Sequence, residues 1–336
     1  MTMKPFAPDR NMTAADIRQL DWRVPRAALA KAIVMIFLGL SVIFPKTMVM
    51  AAPLKVTIAS DSTAASFPPS DLAKRWGWGQ ALSDFLSTNV LVNDLAASGR
   101  SSKSFYDEGK WAACLASHAD YYFIQFGHND GKITDPVRYT DPQTTFKSYL
   151  NLYVTQARAA NGIPVFLTPP TRRGFLAEHT LKLDDLQNYA QAMREFAASN
   201  DVPVLDVLPA TIDFYQFIGK TKAPSYQADI VGPPLVPNAD TTHFSPAGAY
   251  QHCYSIIEAL LLSTNAALAP LRAETRRSGV PVQAVLTNSE SVHFEGSFDL
   301  IHWQAYGRTN AYPASSVRRY LYNYGESKAF YRALTN

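Results

Sequence analysis

The sequence predicts an α/β domain: a parallel β-sheet covered on both faces by helices. Two observations carry that expectation. Five short apolar runs recur between residues 54 and 207, and they are separated by amphipathic stretches of helical length. Runs without polar alternation suit strands buried on both faces, and helices between such strands are the crossovers that parallel pairing requires. The runs are LKVTIA (54–59), VLVND (90–94), DYYFIQF (120–126), IPVFLT (163–168) and VPVLDV (202–207). Between and after them come GQALSDFLS (79–87) with helical spacing, a helix over 144–160 with Phe146, Leu150, Tyr153, Val154 and Ala157 on one face, and a helix over 183–199 with Leu186, Tyr189, Met193 and Phe196 aligned. A last helix over 246–261 opens near Pro246, where the missing N–H costs nothing. Five strands and these helices make a doubly wound, three-layer α/β/α sandwich, whose chemistry lies beyond the C-terminal ends of the strands.

Composition narrows the function classes. The chain has 336 residues, 47% of them hydrophobic, with a formal charge of +3. That is enough apolar material for a sizeable core and too little positive charge for a nucleic-acid binder, and no basic stripe with interleaved aromatics occurs. Arg23, Arg26 and Lys31 precede the apolar AIVMIFLGLSVIF (32–44), and TMVMAAP follows. A basic region, a short apolar region and small residues are the parts of an export signal, with cleavage expected after Ala51. The apolar run falls short of the ~20 residues that a membrane span needs, so no stable span is expected after cleavage. The alternative is an uncleaved N-terminal anchor. Translation from Met3 or Met12 would give a signal of more ordinary length. Either way the body is expected outside the cytoplasm, secreted or periplasmic. The division expected is 1–51 for targeting, 52–263 for the catalytic domain and 264–336 for an extension. Cys114 and Cys253 allow at most one disulfide, and sequence does not show that they meet. No Cys-x-x-Cys, His-Glu-x-x-His or clustered His/Asp ligand set occurs, so neither a metal nor an organic cofactor is expected.

The strand ends carry the residues of interest. Ser62 follows the first run in SDSTA, Gly99 and Arg100 follow the second in ASGRSS, and Asn129 follows the third in GHND. Asp240 and His243 fall in DTTH, just before the last helix. A serine nucleophile needs a base, an acid to orient the base, and donors for the developing oxyanion. Asp240 and His243, three residues apart on a turn, can set a carboxylate against one imidazole nitrogen while the other points away. Asn129 can donate an N–H to an oxyanion, and so can the backbone of Gly99. Each piece alone has a plainer reading: Ser62 and Asp61 as helix-opening turn residues, Gly99 and Asn129 as turn formers, His243 as a polar residue at a helix entry.

In this order and with their flanking text, the blocks resemble the SGNH, or GDSL-type, hydrolases. RWGWGQAL, GRSSKSF, QFGHND, TPPTRRGF and DTTHFSPAGA are similar to the rhamnogalacturonan acetylesterase branch, over about residues 54–263. The resemblance implies a flavodoxin-like fold with Ser62 as nucleophile, His243 as base and Asp240 as its orienter. It also implies an oxyanion hole built from the Ser62 N–H, the Gly99 N–H and the Asn129 side chain. No Gly-x-Ser-x-Gly elbow is present, unlike the ordinary α/β-hydrolases. The implied activity is removal of O-acetyl groups from a pectic or related plant polysaccharide through an acyl-enzyme, without a cofactor. Arg100, Lys103, Arg172 and Arg173, on loops at the active edge, are then candidate partners for galacturonate carboxylates or mere solvated loop charges. Trp76 and Trp78 are expected to pack against the first helix rather than on sugar. One departure stands out: Ser60 occupies a position where the family usually has Gly. If that position needed positive φ, serine would cost about 1–2 kcal/mol. Two rival activities fit the same residues, a sugar O-acetyltransferase using the same triad and a carbohydrate-binding relative without turnover. The oligomeric state is left open. Beyond residue 264 the resemblance ends. VPVQAVLT (280–287) and SVHFEGSFDLIHW (291–303) read as strands, SSVRRYLYNYGESKAFYRAL (315–334) reads as a basic helix, and AETRRSG reads as a linker before them.

Overall fold

The computed structural model describes residues 52–276 and, after them, six strands within 280–335. The targeting segment expected over 1–51 lies outside the described residues. A five-stranded parallel sheet forms the centre. Its strands are β1 (Leu54–Ser60), β2 (Val90–Asp94), β3 (Tyr121–Gln125), β4 (Ile163–Leu167) and a two-residue strand at Val204–Leu205. The last is β7, because a small hairpin of β5 (Phe175–Ala177) and β6 (Thr180–Leu181) precedes it. The spatial order β2-β1-β3-β4-β7 is the flavodoxin-like order, with the switch point between β1 and β3.

Alternation along the strands builds two cores. Val56, Ile58, Tyr121, Phe123, Val165 and Leu167 point to one face. Ala59, Tyr122, Ile124 and Phe166 point to the other. The first face is covered by α1 (Trp78–Ala81) with its 3₁₀ continuation to Phe85, by α7 (Pro246–Leu262) and by α8 (Ala269–Ala273). The second is covered by α2 (Ser102–Asp107), α3 (Lys110–Leu115), α4 (Thr145–Ala159) and α5 (Leu186–Asn200). The helical faces expected over 144–160 and 183–199 are buried as α4 and α5; of their residues only Phe196 is partly exposed. Both cysteines are free and buried; Cys253 lies in the first core and Cys114 in the second, with the sheet between them.

The structure departs from the sequence reading in three places. The fifth run is a strand only at Val204–Leu205, and Val207 already begins α6 (Val207–Lys222). The stretch before α7 is not a plain loop but an antiparallel hairpin, β8 (Gln227–Ile230) with β9 (Val236–Phe244). Where a helix was expected over 315–334, the described residues form strands, β14 (Ser316–Leu321) and β15 (Phe330–Thr335). Their valine, tyrosines and phenylalanine favour extended chain, and Gly325 sits between them where a helix would have to continue. The strands expected near 280 and 291 are β10 (Val280–Val285) and β11 (Ser291–Ser297). Strand β14 pairs with β10, and β15 with β11; β11 also pairs with the short β12 (Gln304–Ala305) and β13 (Asn310–Ala311).

The packed body also continues past 263. Leu268 and Leu271 are buried in the first core, the Tyr121 hydroxyl donates to the Ala267 carbonyl (2.9 Å), and Thr275 bridges Leu86. The stretch AETRR, expected as linker, is thereby tied to the domain as far as Arg276, whose N–H donates to the Phe85 carbonyl (2.7 Å).

Candidate active site

Strand β1 ends at Ser60, and the chain turns at once. The Asp61 carboxylate accepts the Thr63 N–H and hydroxyl, both at 2.8 Å, and the Asp61 carbonyl accepts the N–H groups of Ala64 and Ala65. This local bonding lifts Ser62 to the top of the turn, where it is 6% exposed. The RWGWG stretch passes directly beneath. A Cβ on Gly77 would lie 2.2 Å from the Ala64 and Ala65 carbonyl oxygens, so only glycine admits this approach. Trp78 then buries its indole, which donates to the Gln125 side chain (2.8 Å). Trp76 packs partly buried on the same core. The sequence expectation was packing against the first helix; Trp78 is itself the first residue of α1, and its indole is buried in the core.

Ser60 is not in the left-handed region. It is fully buried, and its hydroxyl donates to the Gln125 carbonyl of the neighbouring strand (2.8 Å). The departure from glycine therefore adds a cross-strand bond and causes no backbone strain.

Ser62, His243 and Asp240 come together from opposite ends of the domain. His243 Nε2 lies 2.8 Å from Ser62 Oγ, and His243 Nδ1 lies 2.7 Å from Asp240 Oδ2. The other Asp240 oxygen, Oδ1, accepts the N–H groups of Thr242 (2.8 Å) and His243 (2.9 Å). Burial pushes the Asp240 carboxyl up, but the imidazole and these two N–H groups outweigh it and hold it down at about 2. Asp240 is therefore ionised at neutral pH and fixes Nδ1 as the protonated nitrogen. Nε2 is left as the acceptor for the serine proton, the arrangement a general base requires.

The three expected oxyanion donors have different surroundings. Gly99 sits at φ +78°, a conformation that favours glycine, and the turn closes with the Arg100 N–H on the Ala97 carbonyl (3.3 Å). Among the described residues, neither the Ser62 N–H nor the Gly99 N–H is bonded to another backbone carbonyl outside regular helices and strands. The Asn129 amide donates one hydrogen to the Arg100 carbonyl (3.0 Å), which fixes the side chain beside the Gly99 turn and leaves its second hydrogen available. The loop that carries Asn129 is anchored by the buried Asp130, which accepts from Ser102, Thr140 and the Gly127 N–H. Burial pushes the Asp130 carboxyl up to about 7 against the pull of those hydroxyls.

The arginines divide. Arg173 is not available to a substrate carboxylate: it is 2% exposed, with its guanidinium over the Phe244 ring at 4.6 Å. Its Nη2 donates to the His243 carbonyl (2.7 Å), and its own N–H donates to the Thr241 carbonyl (2.9 Å). It braces the Asp240–His243 turn from below, which corrects the sequence expectation. Arg172 is partly exposed but pairs with Asp184 (2.6 Å) and Asp185 (3.3 Å) and donates to the His128 carbonyl (3.0 Å). Arg100 pairs with Glu108 (2.9 Å) and the Ser98 carbonyl (2.8 Å), and Lys103 reaches the Pro136 carbonyl (2.7 Å). Sequence reasoning missed the bracing role of Arg173 and the anchoring roles of Gln125 and Asp130. Gln125 lies in a run expected to be buried, but nothing in the sequence signalled its partners or the burial of Arg173 and Asp130. Among the described residues no group of three His, Cys, Asp or Glu side chains is placed to hold a metal. No described helix is long and apolar enough to cross a membrane.

Comparison with known proteins agrees with this geometry. The model of the GDSL-like lipase/acylhydrolase family matches residues 61–250, more than half of the chain. The chain is 36% identical over 230 residues to the rhamnogalacturonan acetylesterase RhgT of Bacillus subtilis, covering 63% of this chain and 91% of that one. It is 35% identical over 196 residues to the probable rhamnogalacturonan acetylesterase YesY of the same organism, covering 58% and 86%. In fold it is similar to the crystal structure of protein YXIM of Bacillus subtilis, with a TM-score of 0.53 at 20% identity over 62% of this chain and 56% of that one. The serine, imidazole and carboxylate at the strand ends, the flavodoxin-like sheet beneath them and these matches agree: the chain belongs to the GDSL-like lipase/acylhydrolase family, in its rhamnogalacturonan acetylesterase-like branch, and is an acetylesterase.

Proposed function

We propose that this protein removes O-acetyl groups from a pectic polysaccharide of the rhamnogalacturonan type through an acyl-enzyme formed on Ser62. The observation that carries the mechanism is the continuous hydrogen-bond chain Ser62–His243–Asp240 at 2.8 and 2.7 Å. In the first half-reaction Ser62 Oγ attacks the acetyl carbonyl carbon as its proton passes to His243 Nε2. The carbonyl oxygen becomes an oxyanion and is met by the Ser62 and Gly99 N–H groups and the free Asn129 hydrogen. The intermediate collapses, the C–O bond to the sugar breaks, and His243 returns the proton to the departing hydroxyl. In the second half-reaction a water attacks the acetyl-serine carbonyl as its proton passes to His243; the intermediate collapses, the C–O bond to Ser62 Oγ breaks, His243 returns the proton to Oγ, and acetate leaves. Asp240 stays ionised throughout and stabilises the imidazolium between the two transfers.

The polymer assignment rests on likeness to the Bacillus acetylesterases. The arginines at the edge support it less than the sequence suggested, since Arg100 and Arg172 already face carboxylates of this chain. Export, by cleavage or with the N-terminal segment retained as an anchor, is part of the proposal and rests on the basic and apolar pattern of residues 23–51.

The test is acetate release from acetylated rhamnogalacturonan and acetylated xylan, with Ser62→Ala alongside. Faster release from rhamnogalacturonan, lost in the variant, is the expected result. A preference for xylan overturns the polymer assignment, and activity retained by Ser62→Ala overturns the nucleophile. Transfer of acetyl to an added sugar, in place of acetate release, would make the enzyme an acetyltransferase.

A further inference from the structure

Ser62 and Asn129 sit on two loops that leave neighbouring strands, β1 and β3. The last paired residues of those strands are Ser60 and Gln125. Beyond that pair no ladder bond joins the two loops, although the Thr63 hydroxyl still donates to the Gln125 side chain (3.2 Å), and the gap between the Ser62 N–H and the Asn129 amide decides how well an oxyanion is held. One residue before each donor lies a buried ionisable side chain: Asp61 before Ser62, and His128 before Asn129. Asp61 is fully buried and His128 is 4% exposed. They face each other with Asp61 Oδ2 3.6 Å from His128 Nδ1.

That distance is too long for a hydrogen bond. Neither Asp61 Oδ2 nor His128 Nδ1 has another partner, so two buried polar atoms stand unsatisfied and almost in contact. The other Asp61 oxygen is fully used by Thr63, which prevents the carboxylate from turning away. Burial pushes the Asp61 carboxyl up, yet His128 and the Thr63 bonds outweigh it and leave it below its ordinary value, so it faces His128 as a carboxylate. The His128 main chain is itself held, through its carbonyl, by Arg172 Nη2 (3.0 Å).

We propose that Asp61 and His128 are positioning residues that draw the nucleophile turn and the Asn129 loop together when the oxyanion forms. The inference rests on Ser62 and Asn129 having the roles proposed above. A tetrahedral oxygen bonded by donors on both loops pulls the loops inward. A movement of well under 1 Å then brings His128 Nδ1–H into hydrogen-bond range of Asp61 Oδ2. The bond is unmade in the free enzyme and made in the transition state. Its free energy therefore lowers the chemical barrier instead of tightening substrate binding. A bond present equally in both states would have the opposite signature.

The experiment compares His128→Leu, His128→Asn, Asp61→Asn and the double variant Asp61→Asn/His128→Leu with the wild type. p-Nitrophenyl acetate serves as the substrate and phenylboronic acid as the tetrahedral mimic. Thermal unfolding identifies variants that fold, and Ser62→Ala is run in parallel. For His128→Leu, kcat should fall about 10- to 100-fold, the range of a buried charge-assisted hydrogen bond, with KM within about twofold. Boronate affinity should fall in step with kcat/KM. Asparagine places its amide N–H at the Nδ1 position and should recover most of the loss. The double variant should lose little more than either single variant.

Several results overturn the proposal: a folded His128→Leu within threefold of wild-type kcat, a loss confined to KM, unchanged boronate affinity, a His128→Asn variant as impaired as the leucine one, or multiplicative losses in the double variant. Should His128→Leu fail to fold, Asp61→Asn and His128→Asn decide by the same criteria. Activity retained by Ser62→Ala refutes the nucleophile assignment, whatever the His128 variants do.

Discussion

Replacing Arg173 with methionine separates two accounts of the same residue. The sequence places an arginine pair, Arg172-Arg173, on a loop at the active edge, where it could read a substrate carboxylate. The structure buries Arg173 beneath the Asp240–His243 turn. Its Nη2 bond to the His243 carbonyl (2.7 Å) is charge-assisted and contributes about 1.5–3 kcal/mol. The second contact, to the Asp240 carbonyl, is marginal at 3.4 Å. Against these stands the cost of Nε and Nη1, which are buried without a partner, at about 1–3 kcal/mol each. Gains and costs nearly cancel, and methionine refills the volume between Phe244 and Tyr215. Arg173→Met should therefore change unfolding free energy by no more than about 2 kcal/mol in urea titration. Catalysis should suffer more, because the carbonyl released is that of His243 itself. An imidazole displaced by about 1 Å costs on the order of 10²-fold. The assay is steady-state kinetics on p-nitrophenyl acetate and on acetylated rhamnogalacturonan. A drop in kcat of about 10- to 100-fold is expected on both substrates, with KM changed less than twofold. A variant that keeps kcat on the aryl ester but raises KM for the acidic polymer alone refutes the bracing argument and returns Arg173 to carboxylate recognition.

Three further outcomes follow from the site. Asp240 is held at about 2 when folded against an ordinary 3.8, so the unfolded chain binds more protons between those values. The stability due to this pairing is present above about pH 4 and is lost as pH falls through 2; after allowance for solvent screening it amounts to about 1–2 kcal/mol, measurable by denaturant titration across pH 2–5. Ser60→Gly restores the residue usual in the family but removes the bond to Gln125, and should lower stability by about 1–2 kcal/mol in thermal unfolding. Lys132 is exposed three residues past Asn129 and has no ion pair among the described residues, so under the proposed function it is a candidate contact for an anionic polymer. Lys132→Glu should raise KM for acetylated rhamnogalacturonan about three- to tenfold and leave p-nitrophenyl acetate unchanged, as measured by initial rates.

The sheet was readable chiefly from β3 and β4, near-continuous apolar runs buried on both faces, whereas the edge strand β2 is short, exposes Leu91 and ends in Asn93 and Asp94. Helices α2, α3 and α6 were not readable. The first two have six residues each and meet at Gly109, too short to show a 3.6-residue period. Helix α6 is buried along most of its circumference, carries Pro209 in its first turn and kinks at Gly219, so its apolar residues mark no single face. At the site, Ser62, Asp240 and His243 were legible because they stand in fixed order among recognisable blocks. Arg173 was misread for a physical reason: burial of an arginine depends on what other segments place around it, and Phe244 and Tyr215 come from far along the chain. Asp61 and His128 were visible as letters inside two of the blocks. That the letters face each other could not be seen without the β1–β3 register.

The hairpin that replaced the expected loop explains how Asp240 reaches His243. On a straight strand two residues three apart lie about 10 Å from each other and on opposite faces. Strand β9 is not straight there: its register against β8 shifts between Gln227 and Ala228 and again before Ile230, which opens slack opposite Asp240. Asp240 Oδ1 takes up that slack by capturing the N–H groups of Thr242 and His243, and Oδ2 is thereby aimed at Nδ1. The two oxygens have separate tasks, one building the turn and one orienting the imidazole. Asp240→Asn tests the division. An asparagine whose oxygen takes the Oδ1 position keeps the turn, so thermal unfolding above pH 5 should stay within a few degrees of wild type. Its amide N–H₂ then faces Nδ1, which must give up its hydrogen, so Nε2 carries the proton and cannot act as base. The wrong tautomer should cost on the order of 10⁴ in kcat. A variant that unfolds would mean that the charge of Asp240, not the oxygen at Oδ1, holds the turn. A folded variant within tenfold of wild type would mean that His243 does not depend on Asp240 for its tautomer.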